Sequence, residues 1–124
     1  MSEIALQDRR IHHEEYGNGD PLILIPGLGQ DSATWGFQVP VFSKSFRVIA
    51  PDNRDSGKSF RSSGPYSTAD MADDMIGLMD RLRINRCHLL GISMGGMIVQ
   101  HMALKMPDRI TSMVLASTTS SGEG

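Results

Sequence analysis

His88-Leu89-Leu90-Gly91-Ile92-Ser93-Met94-Gly95-Gly96-Met97 is the stretch on which the fold turns. It contains G-x-S-x-G, which a chain with 13 glycines can produce by chance, so the flanks decide what it means. An apolar run at 87–90 leads into it. The residues at 94–106 follow, apolar on almost every side and ending before Pro107-Asp108. The pattern reads as a strand entering a sharp turn and leaving as a buried helix. So sharp a turn brings the strand and helix backbones close, which leaves no room for side chains at Gly91 and Gly95 and strains the backbone of Ser93.

Outward from this turn the chain alternates. Short apolar runs at 22–25, 47–50 and 112–116 join 87–90 as strands, and unbroken apolar strands imply a parallel sheet buried on both faces. Between them lie helices. Ser67 offers a cap, acids follow at Asp70, Asp73 and Asp74, and Met71, Met75, Ile76, Leu78, Met79 and Leu82 line one face, with Arg81 and Arg83 near the end. A weaker helix is expected over 33–42, its end blurred by Pro40. Two strand-like stretches, 4–7 and 11–16, open the chain before the turn Gly17-Asn18-Gly19-Asp20-Pro21. The fold class is α/β: a mostly parallel sheet with an antiparallel start.

Composition narrows the function classes. With 124 residues, 40% hydrophobic, 21% charged and a net charge of -2, the chain is one globular unit without the basic surface that nucleic acid or anionic lipid needs. The one cysteine, Cys87, excludes an intrachain disulfide and suits a reducing compartment. No run has the length of a bilayer span or a signal peptide, so a cytoplasmic location is expected.

The chemistry is expected at the turn. A strand–turn–helix around G-x-S-x-G is the setting of a nucleophile elbow, with the Ser93 hydroxyl exposed beside a helix N-terminus that stabilises negative charge. The bland alternative is that Ser93 only caps the helix. A second loop, Pro26-Gly27-Leu28-Gly29-Gln30-Asp31-Ser32, follows the 22–25 strand. Acyl transfer needs two backbone N–H donors aimed at the oxygen that becomes negative. In the elbow scheme these come from the residue after the nucleophile, Met94, and from this loop, at Leu28.

From near its start to its end, the chain resembles the α/β-hydrolase superfamily. The resemblance is carried by Leu22-Ile-Leu-Ile-Pro-Gly-Leu-Gly29, Pro51-Asp-Asn-Arg-Asp-Ser-Gly-Lys-Ser59, Gly91-Ile-Ser-Met-Gly-Gly96 and Pro107-Asp-Arg-Ile-Thr-Ser-Met-Val-Leu115. It is similar to the esterase and lactonase branch that includes aclacinomycin methylesterase and 3-oxoadipate enol-lactonase. That likeness implies cofactor-free and metal-free hydrolysis of small carboxylic esters or lactones through an acyl-enzyme, with Ser93 as nucleophile and Leu28 and Met94 as the oxyanion hole. Pro26 departs from the family, where many members carry His. The family places its catalytic acid and histidine later in the chain than the nucleophile. Residues 1–124 are therefore expected to be the N-terminal half of a single domain, truncated before the lid and C-terminal strands and nearly inactive alone. The 112–116 strand is expected to present a bare edge that self-associates.

Gly27-Leu28-Gly29 with Asp52 imitates a dinucleotide-binding half-domain, but Ser32 stands where the third glycine should. Ser56-Gly57-Lys58-Ser59 imitates the end of a P-loop, but Asp52 stands at the leading glycine, which leaves a structural loop. The methionines, at helical spacing, read as core, and Asp70, Asp73 and Asp74 read as helix-start charges rather than metal ligands. Glu123 follows the last strand without an evident role. A non-catalytic scaffold is the remaining alternative.

Overall fold

The computed structural model describes residues 2–6 and 9–119, with side chains from Arg10 onward. Gln7, at the end of the first expected strand, Glu123 and the tail beyond Thr119 lie outside the described residues. Among the described residues six strands make one sheet in the order β1-β2-β4-β3-β5-β6. They are β1 Ser2–Leu6, β2 Arg9–Tyr16, β3 Asp20–Ile25, β4 Phe46–Pro51, β5 Cys87–Ile92 and β6 Ile110–Ala116. β2 runs antiparallel to both β1 and β4, whereas β4, β3, β5 and β6 are mutually parallel. The mostly parallel sheet with an antiparallel start is therefore present.

β3 is central, and 22–25 are buried on both faces because two long helices cover one face and a layer of short helical turns over 32–42 covers the other. Alternate residues serve alternate layers. Ile23, Ile25, Ile49 and Leu89 pack with Met71, Met75, Leu78 and Met79 of α2 (Thr68–Arg81) and with Ile98, Val99 and Met102 of α3 (Met94–Lys105). Leu22, Leu24, Val48 and Ala50 face the other way, onto Trp35, Val39 and Phe42. Each large apolar side chain taken fully out of water contributes roughly 1.5–3 kcal/mol. The methionines of α2 belong to this core.

α2 starts with a reciprocal cap: Ser67 Oγ accepts from the Asp70 N–H at 3.2 Å, and the Asp70 carboxylate accepts from the Ser67 N–H at 2.9 Å. The three acids divide their roles instead of sharing one. Asp73 pairs with Lys105 at 2.6 Å, and Asp74 is buried against Arg54, so only Asp70 is a helix-start charge.

The expected 33–42 helix is broken into a 3-10 turn, Ser32–Trp35, and a four-residue α1, Val39–Phe42. Pro40 is the reason. Within one continuous helix it would delete a hydrogen bond and clash one turn back, whereas in the first turn of α1 its missing N–H has no helical partner to lose.

Burial on both faces holds for β3 but not for β6. Met113, Val114 and Leu115 are 44%, 54% and 39% exposed, and β6 ends the sheet order. α3 likewise buries one side only, leaving Leu104 exposed.

Candidate active site

Ser93 is the single residue between the last residue of β5 and the first of α3, with φ 56° and ψ -121°. This is left-handed backbone that a serine adopts only when its surroundings impose it. The surroundings are glycines. A Cβ on Gly91 would collide with the Gly95 carbonyl, and one on Gly95 would collide with the Ile25 carbonyl. Their absence lets the start of α3 sit on the end of β3.

That contact also delivers the second loop. A Cβ on Gly27 would lie 3.1 Å from the Ser93 Cβ, so the 26–32 loop runs directly beside the serine. The loop turns tightly: the Gln30 N–H reaches the Gly27 carbonyl at 3.2 Å, and the Gln30 side chain accepts the Gly27 N–H at 2.9 Å. Gly29, at φ 74°, supplies the positive angle that the third position of such a turn requires. Leu28 stands at the apex, exposed.

Two adjacent side chains brace this loop from behind. Asn53 Nδ2 donates to the Pro26 carbonyl at 3.1 Å, and Asp52 Oδ1 accepts the Ser32 N–H at 2.7 Å. The second Asp52 oxygen accepts the Lys58 N–H at 3.0 Å. Asp52 is thus buried and occupied by backbone amides, which removes it as a free ribose-binding acid. The 56–59 loop is structural as well: Gly57 leaves its Cβ space to the Asp52 carboxyl, and Ser59 Oγ donates to the Asp52 carbonyl at 2.6 Å.

Leu28, Ser93 and Met94 line one open cleft of about 290 Å³, together with Met97 and the 117–119 segment. Met94 opens α3, where an N–H has no intrahelical acceptor. Among the described residues neither the Leu28 nor the Met94 amide is hydrogen-bonded. Leu28, Ser93 and Met94 thus share one cleft at the N-terminus of α3.

No histidine lines this cleft. His12 and His13 are buried in β2; His13 bonds Glu15 at 3.3 Å, and burial holds its pKa below the ordinary value. His88 bonds Ser112 Oγ at 2.6 Å and lies 3.9 Å from Asp20, five residues down β5 from Ser93, or about 16 Å. This Ser112–His88–Asp20 set lies away from the cleft. His101 is eight residues along α3, about 12 Å away. Among the described residues no group of three or more His, Cys, Asp or Glu side chains could hold a metal ion, and no helix is long and apolar enough to cross a membrane.

A family model described as alpha/beta hydrolase fold matches residues 20–123. The chain belongs to the α/β-hydrolase fold family. Among its curated relatives, 3-oxoadipate enol-lactonase 2 of Acinetobacter baylyi is 32% identical over 117 residues, covering 93% of this chain and 44% of that protein. A protein of Azorhizobium caulinodans named as a carbamate hydrolase, RutD, is 30% identical, covering 94% and 44%. Of solved structures, the enol-lactonase of Burkholderia xenovorans superposes with a TM-score of 0.91 at 35% identity, covering 94% of this chain and 46% of that one. The α/β-hydrolase chain described here thus spans less than half the length of the relatives it matches, and those relatives are hydrolases.

Sequence reasoning missed Asn53 and Thr118. The polar run Asp52-Asn53-Arg54 directly after an apolar strand was the available signal for the first, since three such residues are buried only when each has a partner. Thr118 had none, because its partner stands 25 residues away.

Proposed function

We propose that this chain carries the nucleophile side of a serine-hydrolase site for small carboxylic esters or lactones, and that it is the N-terminal half of one α/β-hydrolase domain. The observation that carries the reading is Ser93 in left-handed backbone, in one cleft with Leu28 and Met94, whose amides no described residue hydrogen-bonds. Ser93 Oγ bonds the substrate carbonyl carbon as its proton passes to a base that the remainder of the domain supplies, and the carbonyl oxygen takes up the negative charge. Leu28 and Met94 N–H donate to it. Collapse breaks the bond from that carbon to the alcohol oxygen, which leaves with the serine's proton, and the acyl-serine is then cleaved by water, whose OH goes to the acyl carbon and whose proton returns to Ser93 Oγ.

The enol-lactonase and carbamate hydrolase named above and a solved N-acyl homoserine lactone degrading enzyme support this class, each acting on a carbonyl bonded to oxygen or nitrogen. The chemistry uses neither metal nor cofactor. A cytoplasmic location belongs to the same reading and rests on the free, buried Cys87. The reading is tested by where an activated ester acylates the chain, Ser93 being the expected serine.

Self-association is part of the proposal. Among the described residues β6 has no neighbour on its outer side, it exposes Met113, Val114 and Leu115, and unpaired apolar edges recruit strands. Sedimentation velocity at roughly tens of micromolar, where such edges associate, is expected to show dimers or larger species. A stable monomer there would contradict it.

A further inference from the structure

The segment after β6 turns back over the start of α3. Ser117 takes φ 51°, and Thr118 Oγ1 then donates to the Ser93 carbonyl at 2.7 Å. Gln100 Nε2 fastens the next residue by donating to the Thr119 carbonyl at 2.8 Å, and it also reaches the Gly96 carbonyl at 3.2 Å. The Ser93 N–H donates to the Ala116 carbonyl at 2.9 Å, and the Ser93 carbonyl accepts from Gly96 N–H at 3.0 Å. Both backbone polar groups of the left-handed residue are therefore held by the 116–118 segment.

Gly96 shows how closely that segment is fitted. A Cβ there would lie 2.6 Å from the Thr118 side chain, so the second glycine after Ser93 is required by Thr118, not by the turn. Thr118 also lines the cleft.

We propose that Thr118 is a positioning residue for Ser93: its hydroxyl fixes the serine carbonyl and so holds the β5–α3 turn in the geometry that exposes the Ser93 side chain. Its meaning for catalysis rests on the reading of Ser93 as nucleophile, but the clamp stands or falls on its own. A hydroxyl is needed because the Ser93 carbonyl accepts and only a donor can add to the Gly96 bond. Valine copies the shape of threonine without the donor. Serine keeps the donor without the methyl.

The test is amide hydrogen exchange and backbone NMR on the 124-residue chain and its Thr118→Val and Thr118→Ser variants. Thr118→Val is expected to speed exchange at Gly96 about tenfold, as for loss of one hydrogen bond at a local opening, and to shift the Ser93 and Met94 signals. Ile23 and Leu24 in central β3 should keep their protection. Thr118→Ser should restore both signatures. Unchanged Gly96 exchange in Thr118→Val would overturn the proposal, as would Thr118→Ser behaving like valine, which would assign the effect to the methyl. Equal loss of protection in β3 would also overturn it, by showing a general structural role. Because exchange does not require a reactive serine, failure here leaves the acylation of Ser93 an open and separate question.

Discussion

The 124-residue chain is expected to turn over p-nitrophenyl acetate only feebly, and Ser93→Ala to change that rate little. A serine hydroxyl is a poor nucleophile until a base takes its proton, and no histidine lines the Ser93 cleft. In a serine protease, loss of the histidine costs on the order of a million-fold in turnover. The oxyanion hole and binding alone preserve about a thousand- to ten-thousand-fold over water. Any residual rate should come from the Leu28 and Met94 amides, which Ser93→Ala leaves in place. Steady-state release of p-nitrophenolate by both proteins checks this. Fast turnover that vanishes in Ser93→Ala would contradict it, by showing that a base reaches the serine from within these residues or from a second copy.

The second large effect is on stability. Arg54 holds Asp74 through two bonds, Nε to Oδ2 at 2.7 Å and Nη2 to Oδ1 at 2.9 Å, with the two side chains 6% and 2% exposed. The guanidinium also lies over Phe60 and Tyr66, with ring centroids at 5.1 Å and 4.8 Å. Asp74→Ala would leave this cation buried without its hydrogen-bonded counter-charge, which costs about 3–5 kcal/mol. Against a total of roughly 5–15 kcal/mol, that is a large fraction of the stability of a domain of this size. Urea denaturation followed by circular dichroism should show the loss directly. Replacing both partners, Arg54→Met with Asp74→Leu, should recover much of it, because an apolar pair has no desolvation cost to offset. A change below about 1 kcal/mol in Asp74→Ala would mean the pair is hydrated, contrary to its burial.

The parts of this molecule that were legible beforehand are those written in local pattern. Gly91, Ser93 and Gly95 are two residues apart, and the steric demand of one turn sets that spacing. The α2 cap is equally local, since Ser67 and Asp70 satisfy each other across three residues. Asp74 reads as a helix-start charge in the sequence for the same reason: its position along the helix is local, and its partner stands 20 residues away. The bracing of the 26–32 loop by Asp52 and Asn53, and the Thr118 clamp, likewise join residues 20 or more apart through single polar contacts. Such contacts have no periodicity to betray them. The 33–42 helix failed differently, because apolar spacing suggested one element where Pro40 imposed two.

The central claim, that Ser93 is the residue this cleft presents to an acyl group, is tested most directly by mapping where p-nitrophenyl acetate esterifies the chain. With no histidine among the described residues lining the cleft, an acyl-serine once formed is also expected to hydrolyse slowly, so prolonged incubation should trap it. Peptide mass mapping should then find acetyl on Ser93 ahead of every other serine, Ser112 beside His88 included. Acetylation of Ser112 or of exposed serines with Ser93 unmodified would contradict the account.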